Sequence, residues 1–154
     1  MIEFVPTADM AVVRSLLTDE RVYHRSANDS APPVESYSPV LRGDIVYVLA
    51  LDEAEPIAVF VLKAIPEDAN AAEVHFAFHP SRWGRTKSTC GKFLAWVWHK
   101  TRFNTLIGPV PSYNHLARKL AQSVGFEPWG TRRDAGEKHG KSFDLNLMAI
   151  RRPR

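Results

Sequence analysis

Two side chains suited to proton transfer lie two positions apart in a short apolar segment. The segment AEVHFAFH, residues 72–79, is rich in apolar and aromatic residues and predicts a β-strand. Because successive side chains of a strand point to opposite faces, Glu73 and His75 share one face with Ala77 and His79. A carboxylate accepts protons and an imidazole titrates near neutral pH, so Glu73 and His75 are the candidate general bases. The alternative is that both are simply polar residues on a half-exposed strand face.

The stretch HPSRWGRTKSTCGK, residues 79–92, is basic and joins a turn to a helical pattern. The unpaired N–H groups and the positive dipole of a helix N-terminus bind anions such as phosphate. Glycine is scarce here, and a β-branched threonine is poorly suited to a positive φ. A capped surface helix with solvated basic side chains is the alternative. The phosphate site would use backbone donors of residues 84–89, the cations Arg82, Arg85 and Lys87, and the hydroxyls of Thr86 and Ser88.

Other kinds of site are disfavoured. His75 and His79 would lie roughly 13 Å apart along an extended strand, too far to share a metal ion, and no other cluster of metal ligands occurs. Cys90 lies near a helix start, where the pKa of a thiol can be lowered, but no partner for a nucleophile is identifiable. The four tryptophans are expected in the core or in a lid, and no nucleic-acid-binding motif is present.

Composition and charge narrow the class of protein. The 154 residues suit a single domain, residues 1–154, and no apolar run approaches the length of a membrane-spanning helix. One cysteine excludes an internal disulfide, and MIEFVPTADM lacks the regions of a signal peptide, so we expect a cytoplasmic protein. Residues 1–77 contain 5 Lys and Arg against 13 Asp and Glu, whereas residues 78–154 contain 15 against 4. The basic half predicts an anionic partner, unless the two halves attract each other within the fold.

Periodicity predicts an α+β protein. Thr7 is the expected N-cap of the first helix, and Gly125 is the left-handed residue expected to end the last one. Consecutive strands imply antiparallel pairing, and a strand–helix–strand unit implies a parallel crossover, so we expect a mixed sheet of about seven strands with helices on both faces. The predicted strands cover residues 3–5, 44–52, 56–65, 72–79, 105–111, 128–134 and 143–151, and the helices cover residues 7–17, 19–26, a segment ending near 102, and 114–126.

The segment NHLARKLAQSVGFEPWG, residues 114–130, resembles a motif of the GNAT superfamily of acetyl-CoA-dependent N-acetyltransferases. In that family an Asn opens the fourth helix and a small residue follows three positions later. The helix then ends in Gly-Phe, with a further Gly four residues on. The residues that fit this pattern are Asn114, Ala117, Gly125, Phe126 and Gly130.

A second segment, EVHFAFHPSRWGRTKS, resembles the branch that contains the ribosomal-protein N-terminal acetyltransferases. There a strand ends near a Pro, and a Trp-Gly-Lys-Gly turn opens the third helix. Thr86 and Ser88 depart from that pattern, since the family usually has Gly at the first position and Gly or Ala at the second. The tail RRDAGEKHGKSFDLNLMAIRR also resembles this branch, and the shortened turn is similar to that of GNAT-like proteins encoded by bacteriophages. The residues that fit are Glu73, Pro80, Trp83, Gly84 and Arg85.

The resemblance implies a GNAT-type acyl-CoA N-acyltransferase fold over nearly the whole chain, with acetyl-CoA as co-substrate. It implies that the strand ending near Phe78 splays from the next strand, so that backbone groups of residues 76–78 pair with the pantetheine arm. Asn114 would lie beside that arm, although it is also a good N-cap. The predicted cofactor-binding residues are Phe76, Phe78, Arg82, Gly84, Arg85, Thr86, Lys87, Ser88, Thr89 and Asn114.

The implied activity is transfer of an acetyl group to a primary amine of a protein N-terminus, a lysine or a small molecule. Many family members have a Tyr general acid on the fourth helix, but Ala121 stands at that position here, which leaves Tyr113 or Ser112 as substitutes. The alternative is a catalytically degenerate GNAT-fold interaction protein, such as a virion-associated phage structural or assembly factor, with its basic half facing DNA or an acidic protein. Candidates for an acceptor pocket are Tyr23, His24 and Tyr37.

Overall fold

The computed structural model describes residues 1–154 and contains one seven-stranded sheet. The strands lie in the order β1-β2-β3-β4-β5-β7-β6, and only the β4–β5 pair is parallel. The predicted α+β class with a mixed, mostly antiparallel sheet is confirmed. The strands are β1 (Ile2–Thr7), β2 (Ile45–Asp52), β3 (Glu55–Ile65), β4 (Asp68–Phe78), β5 (Thr105–Pro111), β6 (Glu127–Lys138) and β7 (Lys141–Arg151). The helices are α1 (Met10–Leu17), α2 (Glu20–Ser26), α3 (Thr86–Lys100) and α4 (His115–Ser123), with short 3-10 helices at Val34–Ser36 and Pro80–Arg85.

Two apolar clusters hold helices against opposite faces of the sheet. The larger cluster joins α3 to the central strands, and in it the rings of Phe60 and Phe93 stack with centroids 3.9 Å apart. The smaller cluster packs α1 on the other face through Val13 and Leu16. The neighbouring β2 residues Val48 and Leu49 belong to different clusters, as expected for side chains that alternate across a strand. Helices therefore lie on both faces, as predicted. None of them combines the length and apolar character needed to cross a membrane.

The first helix begins later than the sequence suggests. The side chain of Asp9 accepts hydrogen bonds from the N–H groups of Ala11 at 3.2 Å and Val12 at 3.4 Å, so Asp9 is the N-cap. Thr7 instead accepts a hydrogen bond from the Asp9 N–H at 3.0 Å. The prediction that Thr7 caps α1 was wrong, because Thr7 is still paired with Tyr47 as the last residue of β1.

Five strands, β1, β3, β4, β6 and β7, are longer than their predicted lengths. β4 begins at Asp68 rather than at residue 72, and β6 and β7 pair up to Lys138 opposite Lys141. His139 and Gly140, with φ of 52° and 75°, form the tight turn between β6 and β7. Because that turn needs only two residues, the flanking polar residues stay in the ladder. The predicted left-handed end of α4 is confirmed, since Gly125 has φ 108°.

Candidate functional site

Strands β4 and β5 separate after a short paired stretch. Only residues 71–73 of β4 pair with β5, opposite residues 105–107. Beyond this point β4 continues beside β3 as far as Phe78, while β5 continues beside β7 as far as Pro111. The predicted splay is confirmed. It leaves one edge of β4, residues 74–78, without a strand partner.

A cavity of about 860 Å³ lies at the splay. Its walls come from β4, β5, α3, α4 and the end of α2, and they are mostly apolar. The charged or ionisable side chains that line it, apart from one cysteine and three tyrosines, are Arg25, Glu73 and His75. A large apolar recess with a few convergent polar groups is the usual form of a small-molecule site.

Helix α4 forms one wall of this cavity and packs only partly on the core, through the half-buried Leu120 and Val124. None of its residues is buried, and Leu116 is 65% exposed. Leu116, Leu120 and Val124, which recur every four residues, line the cavity and face a wall of α3 formed by Cys90, Phe93 and Leu94. An apolar stripe left open in this way marks a surface that a ligand can cover.

A smaller cavity of about 450 Å³ lies beside the first turn of α3. No side chain caps this helix, although the Thr86 N–H donates to the Trp83 carbonyl of the preceding 3-10 helix. Lys87 forms no ion pair with any carboxylate. Of the predicted phosphate-binding residues, Gly84, Lys87 and Ser88 line this cavity, whereas Arg82, Arg85, Thr86 and Thr89 do not. The lining residues are Gly84, Lys87, Ser88, Gly91, Ser123 and Val124.

The residues at the family's glycine positions carry no backbone strain. The chain enters α3 through the 3-10 helix Pro80–Arg85, so Thr86 has helical φ and ψ of −60° and −48°. Gly84 does not have a positive φ, and a Cβ added there would meet no atom within 4 Å. The hydroxyls of Thr86 and Ser88 donate to the carbonyls of Trp83 at 2.8 Å and Arg85 at 3.3 Å, which differs from the expected donation to a phosphate.

Two of the predicted cofactor-binding cations are held by carboxylates of the β2–β3 hairpin. Arg85 Nη1 lies 2.6 Å from Asp52 Oδ2, and Arg82 Nη2 lies 3.3 Å from Glu55 Oε2. The hydrogen bond from Arg85 holds the pKa of Asp52 below its ordinary value. A phosphate at this turn would have to compete with Asp52 for Arg85.

The remaining predicted cofactor-binding residues are placed differently from one another. Phe76 and Phe78 line the large cavity, and the Phe78 carbonyl accepts a hydrogen bond from Trp83 Nε1 at 3.3 Å. Asn114 also lines it and caps α4 by accepting from the Ala117 N–H at 3.1 Å, so both of its predicted roles are compatible. Thr89 is buried and lines neither cavity, which leaves its side chain away from the site.

Glu73 and His75 form the candidate acid–base pair on the open face of β4. Glu73 Oε1 lies 2.7 Å from His75 Nε2, and both side chains line the large cavity. They remain 36% and 49% exposed, so a substrate can reach them. The hydrogen bond to His75 lowers the pKa of Glu73 against the opposing effect of burial. His79 is separate from this pair, because its Nδ1 accepts the Ser81 N–H at 3.2 Å and caps the 3-10 helix.

The candidate general acids, Tyr113 and Ser112, and the thiol of Cys90 differ in their surroundings. Tyr113 lines the cavity, donates to the Ser26 carbonyl at 3.4 Å, and has its pKa raised by burial. The Oγ of Ser112 is engaged by the Asp144 N–H at 3.1 Å. Burial raises the pKa of Cys90 to about 12, contrary to the lowering considered for a helix start, so its thiol is not an activated nucleophile.

The acceptor side of the cavity only partly matches the predicted residues. Tyr37 lines the cavity, but Tyr23 and His24 do not, and the Tyr23 hydroxyl donates to the Pro32 carbonyl instead. Arg25 and Trp83 both line the cavity and form a cation–π contact with each other. Sequence reasoning missed Arg25, because nothing local to α2 distinguishes it from the other exposed basic residues.

No protein-family model matches the chain, and a search of curated proteins finds no match. Solved structures of acetyltransferases are nevertheless similar over their full length. A spermidine N-acetyltransferase from Vibrio cholerae, solved with CoA and spermine, is 13% identical with a TM-score of 0.78, covering 98% of this chain and 95% of that one.

Two further solved structures, both in complex with a form of coenzyme A, are similar to the same degree. RimL, a ribosomal L7/L12 α-N-protein acetyltransferase in complex with coenzyme A, is 14% identical with a TM-score of 0.77, covering 98% of this chain and 94% of that one. RimJ of Mycobacterium smegmatis, in complex with a CoA disulfide, is 17% identical with a TM-score of 0.77, covering 97% and 81%. With its seven-stranded sheet and the splay of β4 from β5, the chain has the GNAT acyl-CoA N-acyltransferase fold.

Proposed function

We propose that this protein is an N-acetyltransferase that uses acetyl-CoA to acetylate a primary amine. The observation that carries the proposal is the unpaired edge of β4 at an apolar cavity, with the uncapped N-terminus of α3 nearby. An extended amide-containing arm pairs with a free strand edge, and phosphates bind at helix N-termini. The strand edge suits the pantetheine arm of acetyl-CoA, and the helix N-terminus suits its phosphates.

The residues present fit this co-substrate. The edge of β4 at Phe76 and Phe78 and the side chain of Asn114 would hold the pantetheine arm. The first turn of α3, with Lys87, would hold phosphate oxygens. When bound, acetyl-CoA supplies an acetyl group activated as a thioester. The apolar walls from α3 and α4 would exclude water from the arm.

The acid–base pair would prepare the amine acceptor. An amine attacks a thioester only when it is neutral, so a proton must be removed from the ammonium form. We assign proton acceptance, directly or through one water, to His75. The Glu73 carboxylate, 2.7 Å away, would orient the imidazole and stabilise its charged form. Tyr113, whose pKa is raised, is the candidate proton donor to the departing thiolate.

The cavity suits an acceptor with a single amine better than it suits a polyamine. Glu73 is the one carboxylate that lines the cavity, and it is already hydrogen-bonded to His75. Several cationic amines in a mostly apolar cavity would need further acidic partners. An amine at a protein N-terminus or on a small molecule is therefore the preferred acceptor class, which agrees with the resemblance to the ribosomal-protein branch.

A catalytically degenerate scaffold, such as a phage assembly factor, is the second candidate. Ala121 in place of a tyrosine and the ion pairs that hold Arg82 and Arg85 favour it. Calorimetric titration with acetyl-CoA, followed by a thiol-release assay with a panel of peptides and small amines, separates the two. Binding together with turnover supports the enzyme. An absence of heat at millimolar acetyl-CoA would contradict it, and binding without turnover for any amine would favour the scaffold.

A further inference from the structure

A cation–π contact joins two residues that line the large cavity. Arg25 lies in the last turn of α2, and its guanidinium carbon is 4.5 Å from the ring centroid of Trp83. Trp83 belongs to the 3-10 helix that leads into α3, and both side chains line the cavity. The contact therefore joins two elements far apart in sequence at the wall of the cavity.

Arg25 has no carboxylate partner within the protein. It takes part in none of the ion pairs, whereas Arg21 on the same helix is bound to Asp19 at 3.2 Å. The one carboxylate in the cavity, Glu73, is hydrogen-bonded to His75. A guanidinium beside an apolar cavity with no protein anion is available to an anion on the ligand.

The indole of Trp83 positions this guanidinium. Its Nε1 donates to the Phe78 carbonyl at 3.3 Å, which ties the ring to the end of β4. A guanidinium stacked on an aromatic face keeps its in-plane N–H groups free for hydrogen bonds to phosphate or carboxylate oxygens. The stacked arginine thus presents its donors next to the turn that opens α3.

We propose that Arg25 is an anion-binding residue and that its partner is a phosphate oxygen of the CoA moiety. The inference rests on the proposed function and adds a residue to it. Arg82 and Arg85 at the α3 turn are already partly neutralised by Glu55 and Asp52. Arg25 supplies from α2 a second cation without an ion pair, in addition to Lys87.

The test compares two ligands that differ in their phosphates. Acetyl-CoA and S-acetylpantetheine are titrated calorimetrically into the wild type, Arg25→Ala and the matched control Arg21→Ala. Loss of one charge-assisted hydrogen bond should weaken acetyl-CoA binding by about tenfold to a hundredfold in Arg25→Ala. Binding of S-acetylpantetheine should change little, and Arg21→Ala should behave as wild type. Arg25→Lys should recover part of the loss, since it keeps the charge but not the planar fork.

Each other outcome overturns the assignment. Unchanged acetyl-CoA affinity in Arg25→Ala removes Arg25 from the site, and equal losses for both ligands exclude the phosphates as its partner. An effect confined to the KM of carboxylate-bearing acceptors would move its partner to the acceptor. Failure of the wild type to bind acetyl-CoA is a distinct result that contradicts the proposed function itself. Arg25 is exposed, so the variants should keep the wild-type melting temperature, which is the check on folding.

Discussion

His75 is the side chain on which the proposed proton transfer depends most directly. Its ring is 49% exposed in the cavity, and Glu73 holds its Nε2 at 2.7 Å. Replacing it in His75→Ala should lower kcat by about a hundredfold or more, because a positioned general base contributes this much to proton transfer. The KM for acetyl-CoA should change little, since the proposal assigns His75 to the amine and not to the co-substrate. Steady-state kinetics with a saturating amine measure both quantities.

Two further variants make that prediction specific. Glu73→Gln keeps the shape but loses the negative charge, so kcat should fall less than in His75→Ala while the melting temperature stays near wild type. His99→Ala alters an exposed histidine at the far end of α3 and lines neither cavity, so its kcat should equal that of wild type. Wild-type kcat in His75→Ala would show that the pair on β4 is not the base.

At the scale of the elements, the β2–β3 hairpin competes with any anion for the α3 turn. Asp52 Oδ2 forms an ion pair with Arg85 Nη1 at 2.6 Å and lies 3.8 Å from Arg82 Nη1. Asp52→Asn should release both guanidinium groups towards a phosphate and increase acetyl-CoA affinity several-fold, measured by calorimetry. Asp44→Asn is the matched control, because Asp44 pairs with Arg42 on the same strand region but away from the site. Weaker or unchanged binding in Asp52→Asn would mean that Arg85 is purely structural.

Hydrogen bonds to two carboxyl groups predict how the free energy of unfolding depends on pH. Backbone N–H groups of Gly140 and His139 lower the pKa of Asp29, and a hydrogen bond from Arg85 lowers that of Asp52, both from an ordinary value of 3.8. A carboxyl whose pKa is depressed by folding stabilises the native state above its unfolded pKa, and this is lost as the pH falls through the folded pKa. Urea midpoints should therefore fall below about pH 4. Asp29→Asn and Asp52→Asn should each flatten the decline, and an unaltered slope in both would contradict the assignment.

Sequence reasoning recovered the elements and missed what joins them. Periodicity and turn chemistry were sufficient to predict the order of strands and helices along the chain and the end of α4 at Gly125, because both depend on neighbouring residues. The pairs Asp52–Arg85 and Arg25–Trp83 connect residues more than thirty positions apart, and no local pattern encodes them. The family pattern predicts a glycine-rich turn in which Thr86 would be strained, whereas the backbone of Thr86 is already helical.

At the scale of the whole molecule, the charge asymmetry is only partly internal. Asp52 and Glu55 of the acidic half pair with Arg85 and Arg82 of the basic half, so the two halves do attract each other. The basic half still contains 15 Lys and Arg against 4 Asp and Glu, and most of its cations make no ion pair. The net positive charge that remains would attract a phosphorylated ligand at a distance.

Ligand binding should also stabilise the whole fold, because α4 contributes no buried residue to the core of the free protein. A ligand that binds only the native state adds about 2.7 kcal/mol at a concentration one hundred times its Kd. For a chain of this size we expect a rise in melting temperature of about 5 to 10 °C with acetyl-CoA. Differential scanning calorimetry measures it, with S-acetylpantetheine as the control that should give a smaller rise. A degenerate scaffold whose cavity no longer accepts the co-substrate would melt at the same temperature with and without millimolar acetyl-CoA, so an unchanged melting temperature would contradict the proposed enzyme without knowledge of the acceptor.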